Sequence, residues 1–293
     1  MTIAAGYRFD TGILLCSDSQ YTGAAKTNET KIFPIKHKSA TVVLVLTGRS
    51  TFGKRAFERI RDGILTIPED QLTRGRMQDA IEVGLRDIFN NHIYTHPDWG
   101  TNNAPELSFI VGLYSPIDGD FLLSTDETIC AEMPDHVCLG SGSYLGDFLS
   151  RMYKGRKQLF REVVDLAIYI LQQTKSYDAY CGGNSEFIIL WDDGDTSPIQ
   201  NLDVTLGETY SQAFMLCVSS LFYSAADLDK TNDAVIGDMK SSIDTLLGNR
   251  VIRKKVKDQY DAWMNSFKKA ASSEGKKTSL KPSALNSSQS QKP

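Results

Sequence analysis

The chain has 293 residues, 41% of them hydrophobic and 10% aromatic, enough for one large core or one core with an appendage. Its net charge of −4 is uneven: Lys268 to Pro293 holds six lysines and one glutamate, which leaves the body at −9. An acidic body argues against a nucleic-acid-binding surface, and a basic end rich in Ser, Gln and Pro reads as a solvated, disordered tail rather than a membrane or RNA contact.

In chain order, Ile3 to Phe9 and Gly12 to Ser17 are β-prone runs around Asp10-Thr11-Gly12 and predict a hairpin at the head of the sequence. Lys31 to Ile35 and Thr41 to Thr47 form a second pair around Lys36-His37-Lys38. Val42 to Leu46 is apolar on both faces, which predicts a central strand covered on both sides. Gly48 ends that strand, and Ser50 or Thr51 offers an N-cap for a helix carrying Phe52, Phe57, Ile60, Ile64 and Leu65 at helical spacing. A second helix fits Met77 to Tyr94, with Met77, Ile81, Leu85, Ile88 and Phe89 on one stripe.

A polar loop from His96 to Pro105 leads to strands over Leu107 to Tyr114, Gly119 to Thr125 and His136 to Leu139. Helices over about Tyr144 to Tyr153 and Leu159 to Tyr177 precede a strand over Ser185 to Trp191. Asp192-Asp193-Gly194-Asp195 superficially matches a calcium loop, but it lacks the full ligand spacing and the closing Glu, so it reads as a surface turn. Strands and helices alternating in blocks predict an α+β fold: a four-layer α-β-β-α sandwich of two antiparallel sheets between helical layers. From Thr205 the pattern turns helical, so the expected organisation is a main domain over 1–204, a mostly helical extension over 205–267 and a basic tail over 268–293.

Cys16, Cys130, Cys138, Cys181 and Cys217 are odd in number and lack CxxC spacing, which fits a reducing compartment better than a disulfide framework. The sequence opens without a charged and apolar leader, and no apolar run nears the ~18 residues a bilayer span needs. The expectation is a cytoplasmic protein with no membrane contact. His37, His92, His96 and His136 show no paired ligand spacing, so neither a metal nor another cofactor is expected.

Four short signals carry chemistry. Thr2 directly follows Met1, and removing Met1 would leave a threonine whose α-amino group titrates at roughly 7.7 to 8.0 beside its own hydroxyl, joining base and nucleophile in one residue. Asp18, in Cys16-Ser17-Asp18-Ser19-Gln20, ends the second strand, and a buried carboxylate there needs a cation such as Lys31. Thr47-Gly48 ends the central strand, where a glycine lets substrate approach backbone N–H groups. Gly140-Ser141-Gly142-Ser143 and Asp178-Ala179-Tyr180-Cys181-Gly182-Gly183 have neither Walker nor GxGxxG spacing and read in isolation as turns and caps.

In order, these strings, with Lys31-Ile32-Phe33-Pro34-Ile35 and the turn glycine Gly12, resemble the β-type subunits of the proteasome and the related bacterial HslV-type peptidases, which are N-terminal-nucleophile hydrolases. The resemblance runs from Thr2 to about Trp191. It implies a threonine-type endopeptidase in which Thr2 is the nucleophile and its α-amino group the base. By the same resemblance Lys31 favours the alkoxide, Asp18 holds Lys31, the Gly48 N–H donates to the oxyanion, and Ser141, Asp178 and Cys181 surround the amine. Leu46, Thr47, Arg49 and Ser50 would line the substrate side, with Leu46 and Ser50 suited to an apolar side chain.

The sequence departs from the family pattern in four places. The connection from Asp18 to Lys31 is shorter than usual, which leaves Lys26 as a competitor. Cys181 stands where serine is usual, Arg49 where a small residue is usual, and the helical extension has no counterpart. The resemblance also implies a homo-oligomer, as a ring or helical array, acting on peptides or unfolded protein and paired with an ATP-driven unfoldase. Two alternatives stay open: a catalytically silent scaffold subunit, and an amidase acting on a small molecule.

Overall fold

A computed structural model describes residues 2–22, 26–151, 159–227, 229–248 and 254. The expected tail over 268–293, and the part of the expected extension from 255 to 267, lie outside the described residues. In chain order the elements are β1 (Ala4–Phe9), β2 (Gly12–Asp18), β3 (Gln20–Thr22), β4 (Lys26–Asn28), β5 (Ile32–His37), β6 (Ala40–Gly48), α1 (Ser50–Leu65) and α2 (Arg74–Ile88). After them come β7 (Leu107–Ser115), β8 (Gly119–Asp126), β9 (Ile129–Glu132), β10 (His136–Leu139), α3 (Ser143–Arg151), α4 (Phe160–Tyr177), β11 (Ser185–Trp191), β12 (Thr196–Pro198) and α5 (Asn201–Ala226).

The strands form two five-stranded antiparallel sheets, ordered β10-β1-β2-β11-β12 and β5-β6-β7-β8-β9, with β3 and β4 as a separate antiparallel pair. Strand alternation assigns the layers. Along β6, Val42, Leu44 and Leu46 pack with α1 and α2, whereas Val43 and Val45 meet Ile13 and Leu15 of β2 between the sheets. Along β2, Leu14 and Cys16 point the other way into the α4 core with Val163, Ala167 and Leu171. Each such Leu or Val contributes on the order of 1.5–3 kcal/mol by burial. The result is the expected four-layer α-β-β-α sandwich.

The expected helices and strands are present, with local differences. The N-cap of α1 is Arg49 rather than Ser50 or Thr51: Arg49 N–H donates to Glu106 O at 3.0 Å while its carbonyl accepts from Gly53 N–H at 3.0 Å, so the helix starts as soon as the strand releases the chain. Thr73 caps α2 through its side chain. The stripe expected to run to Tyr94 leaves the α-helix at Ile88 and finishes as a π-turn over Phe89–Ile93. Residues 152 and 153, expected at the end of α3, lie outside the described residues.

The chain divides into two compact units, up to Gln212 and from Ala213, within the continuous helix α5. In the second unit a helix over 232–248 follows α5, and Cys217 S–H donates to Ser242 O at 3.4 Å. Among the described residues no helix is long and apolar enough to cross a membrane.

Candidate active site

Asp18 ends β2 with its carboxylate fully buried, a position that demands compensating donors. Lys31, directly before β5, supplies the first: Nζ lies 2.7 Å from Asp18 Oδ1 with neither side chain exposed. The same ammonium donates to Gln20 O at 2.6 Å and to Thr2 Oγ1, so its three N–H groups are all engaged. Asp18 Oδ1 also accepts from Ile3 N–H at 3.2 Å and from Thr2 Oγ1, and Oδ2 accepts from Gly182 N–H at 2.8 Å. Burial pulls the Lys31 pKa below its ordinary 10.5, against the opposing pull of the Asp18 charge.

The short connection before Lys31 contains the antiparallel strand pair β3 and β4 and still delivers the lysine to Asp18. Lys26 faces elsewhere, donating to Ala179 O at 3.3 Å from an exposed position.

Thr2 heads β1 and is buried. Its carbonyl accepts from Gly142 N–H at 3.3 Å and from Ser141 Oγ at 3.5 Å. Gly140, at φ +94°, passes so close that a Cβ there would strike the Thr2 carbonyl oxygen, which accounts for glycine at the end of β10. Across the site, Asp178 caps the end of α4, its N–H reaching Thr174 O at 2.8 Å and its Oδ1 accepting from Tyr180 N–H at 2.8 Å. Cys181 N–H bonds Asp178 O at 3.0 Å, and Cys181 Sγ lies 3.7 Å from Ser141 Oγ. Burial, reinforced by the Asp18 charge, pushes the Cys181 thiol up to about 12, so at neutral pH it is a protonated thiol.

Gly48 closes β6 at φ +98°. Leu46 N–H donates to Lys31 O at 2.9 Å and Arg49 N–H to Glu106 O on the opposite side, so two-residue alternation turns the Gly48 N–H toward the side of Lys31. Thr47, next to it, is buried with Oγ1 donating to Ser108 O at 3.3 Å.

The structure therefore brings Thr2, Asp18 and Lys31 into direct contact, sets Ser141 against Thr2 and Cys181, bonds Asp178 to Cys181, and leads β6 past Lys31 to Gly48. It does not bring the expected substrate-side set together. Leu46 has no exposed surface and packs in the α1 core, where a Cβ on Gly53 would collide with it. The Arg49 guanidinium turns to Asn103 O at 3.0 Å, and Ser50 opens α1. Three participants have no role assigned from the sequence, although Gln20 and Gly182 lie within the strings around Asp18 and Cys181. Gln20 gives Lys31 a carbonyl, Tyr21 lays its ring 4.8 Å from Lys31 Nζ, and Gly182 gives Asp18 an N–H. Their proximity to Asp18 and Cys181 in sequence was the one available signal. Asp192 to Asp195 forms a turn in which Gly194 O accepts from Thr41 Oγ1 at 2.6 Å.

Two antiparallel sheets lie face to face between helical layers as a proteasome-like sandwich, with Thr2 just before the first strand. Among solved structures, the chain is similar to the Anbu (Gly-1) mutant from Hyphomicrobium sp. strain MC1, with TM-score 0.64 and 14% identity over 78% of this chain and 100% of that one. It is similar to Anbu, an ancestral beta-subunit, from Yersinia bercovieri, with TM-score 0.64 and 13% identity over 78% and 99%. The helical assembly of the Anbu complex from Pseudomonas aeruginosa gives TM-score 0.63 and 12% identity over 79% and 99%. At these identities the likeness is one of fold. No family model and no curated protein matches the sequence.

Proposed function

We propose that the chain is a threonine-type peptidase whose nucleophile, Thr2, is exposed by removal of Met1. The observation that carries this reading is the buried Lys31 ammonium donating at once to Asp18 and to the Thr2 hydroxyl. A cation held in hydrogen-bond reach of a hydroxyl lowers the cost of the alkoxide, and it acts most strongly where water is excluded.

In the proposed reaction the α-amino group takes the Thr2 hydroxyl proton as Oγ1 attacks the substrate carbonyl. Gly48 N–H donates to the resulting oxyanion. Collapse breaks the C–N bond, the leaving amine takes the proton from the α-ammonium group, and an ester on Thr2 remains. Water, deprotonated by the same amine, then attacks the ester, and Oγ1 leaves with the returned proton. Ser141, Asp178 and the protonated Cys181 surround the base, and Tyr21 covers Lys31 on its ring face.

Assembly into a ring or helical array belongs to the same reading, and so does an ATP-driven unfoldase that delivers unfolded protein. The helical array is supported by the Anbu complex, and homo-oligomer formation by the exposed stripe Ile236, Met239, Ile243 and Leu247 in the second unit. Changing Ile236, Met239 and Ile243 together to Ser is expected to lower the sedimenting mass.

Hydrolysis of unlabelled casein and of a fluorogenic peptide panel tests the activity. The parent should cleave both, Thr2→Ser should keep measurable turnover, and Thr2→Ala should be inactive. A parent that assembles but cleaves no amide would favour the silent scaffold. Cleavage of small amides alone would favour the amidase.

A further inference from the structure

The extension reaches the candidate site through its first turns. Val204 of α5 is buried in the α4 core, and a Cβ on Gly207 would meet Ile168 Cδ1 at 2.6 Å, so this end of α5 is seated closely on α4. One residue further, Glu208 Oε1 accepts from Ser185 Oγ at 2.7 Å and from Lys175 Nζ at 3.4 Å. Lys175, in the last turn of α4, donates in addition to Ser185 Oγ at 2.6 Å and to Gly183 O at 3.0 Å.

Both recipients bear on Asp18. Ser185 is the cross-strand partner of Asp18 between β11 and β2, and Gly183 follows Gly182, whose N–H is the donor to Asp18 Oδ2. The segment 178–184 thus carries Asp178, Cys181 and the Gly182 donor, and its far end is gripped by Lys175. The Lys175 side chain is only 16% exposed, so its ammonium relies on protein acceptors and on the Glu208 charge. Without that carboxylate the lysine gains more by turning to water than by staying on a carbonyl and a hydroxyl.

We infer that Glu208 is a positioning residue: with Lys175 and Ser185 it clamps the 178–184 segment so that Gly182 N–H meets Asp18. The inference rests on the peptidase reading for its effect on rate, but the clamp itself is measurable without activity.

The test compares the full-length parent with Glu208→Ala, Glu208→Gln and Ser185→Ala by amide hydrogen exchange across 178–184. The same proteins are treated with an inhibitor that needs both the hydroxyl and the free amine of a terminal threonine. In Glu208→Ala the Gly182 and Gly183 amides should exchange at least ~10-fold faster. Its maximal labelling rate should fall roughly 10-fold while the half-saturating inhibitor concentration stays the same. Glu208→Gln keeps an oxygen for Ser185 but loses the charge that holds Lys175, so it should fall between the parent and Glu208→Ala. Parental exchange and labelling in Glu208→Ala would overturn the inference. Should that variant not fold, parental values in Ser185→Ala would overturn it equally. If Glu208→Ala speeds exchange at Gly182 but the parent takes no label, the clamp stands and the peptidase reading fails.

Discussion

Lys31 Nζ lies 2.7 Å from Asp18 Oδ1 although the two residues belong to opposite sheets: Asp18 ends β2, and Lys31 leads into β5. The pair joins the sheets where the β1–β2 and β5–β6 ends meet, and Thr2 is bound to both members. Removing one partner strands a buried charge. Lys31→Met should therefore cost about 3–5 kcal/mol in urea unfolding. The double variant Asp18→Leu with Lys31→Met should recover part of the loss. It also orphans the Ile3 and Gly182 N–H groups, at about 1–3 kcal/mol each, so the recovery stays incomplete. Full recovery would show that those two bonds contribute little.

Lys31 also sets a pH dependence with two opposite signs. Its pKa is lower in the folded chain than its ordinary 10.5, chiefly through burial, so between the lowered value and 10.5 the unfolded chain binds more protons. The penalty for holding Lys31 charged is present in full below the folded pKa and fades as pH rises toward 10.5. In the proposed mechanism activity runs the other way, because loss of the ammonium proton would remove support for the Thr2 alkoxide. The alkaline limb of kcat/KM should fall below the ordinary lysine range, while the stability advantage of the parent over Lys31→Met grows as pH rises toward 10.5. A rate that stays flat through pH 10.5 would contradict this.

At Gly48 backbone strain and the proposed oxyanion role meet in one residue. Its φ of +98° is open to glycine, and a Cβ there would strike the Glu106 carbonyl. Gly48→Ala should destabilise by more than about 1 kcal/mol. The variant keeps the backbone N–H but must shift it to clear the Glu106 carbonyl, so if that N–H is the oxyanion donor kcat should also drop, by up to roughly 10²–10³. Loss of stability with kcat intact would place the donor elsewhere.

The sandwich was legible because its signals are periodic and long: Val42 to Leu46 reads as doubly covered, and the stripe of Met77, Ile81, Leu85 and Ile88 reads as one helix face. β4 was not legible, since Lys26, Thr27 and Asn28 are all exposed and polar. β9 and β12 are likewise too short for a period to show. Thr2, Asp18 and Lys31 could be picked out by order and spacing. Leu46 could not be placed that way. Period two groups it with Val42 and Leu44, but the sequence alone does not say which face meets α1 and which meets the other sheet. Glu208 lies 23 residues from Ser185 and 33 from Lys175, and no local pattern encodes a contact made by the docking of one helix end.

The thiols give a check that involves no turnover. All five cysteines are free and buried, and burial pushes Cys130, Cys138 and Cys181 up to about 12. Native protein at pH 7.5 should react slowly with a maleimide at every cysteine and take up five equivalents only after denaturation. Fast native labelling at Cys181 would mean that its environment is more open or more cationic than the structure indicates.

The most direct measurement is the intact mass of the purified full chain before and after treatment with an inhibitor that closes a ring with both the hydroxyl and the free amine of a terminal threonine. The expected result is a chain lacking Met1 that gains one adduct, with no adduct on Thr2→Ala. A Met1-free chain that takes no adduct, or an adduct that survives Thr2→Ala, would contradict the assignment of Thr2 as the nucleophile.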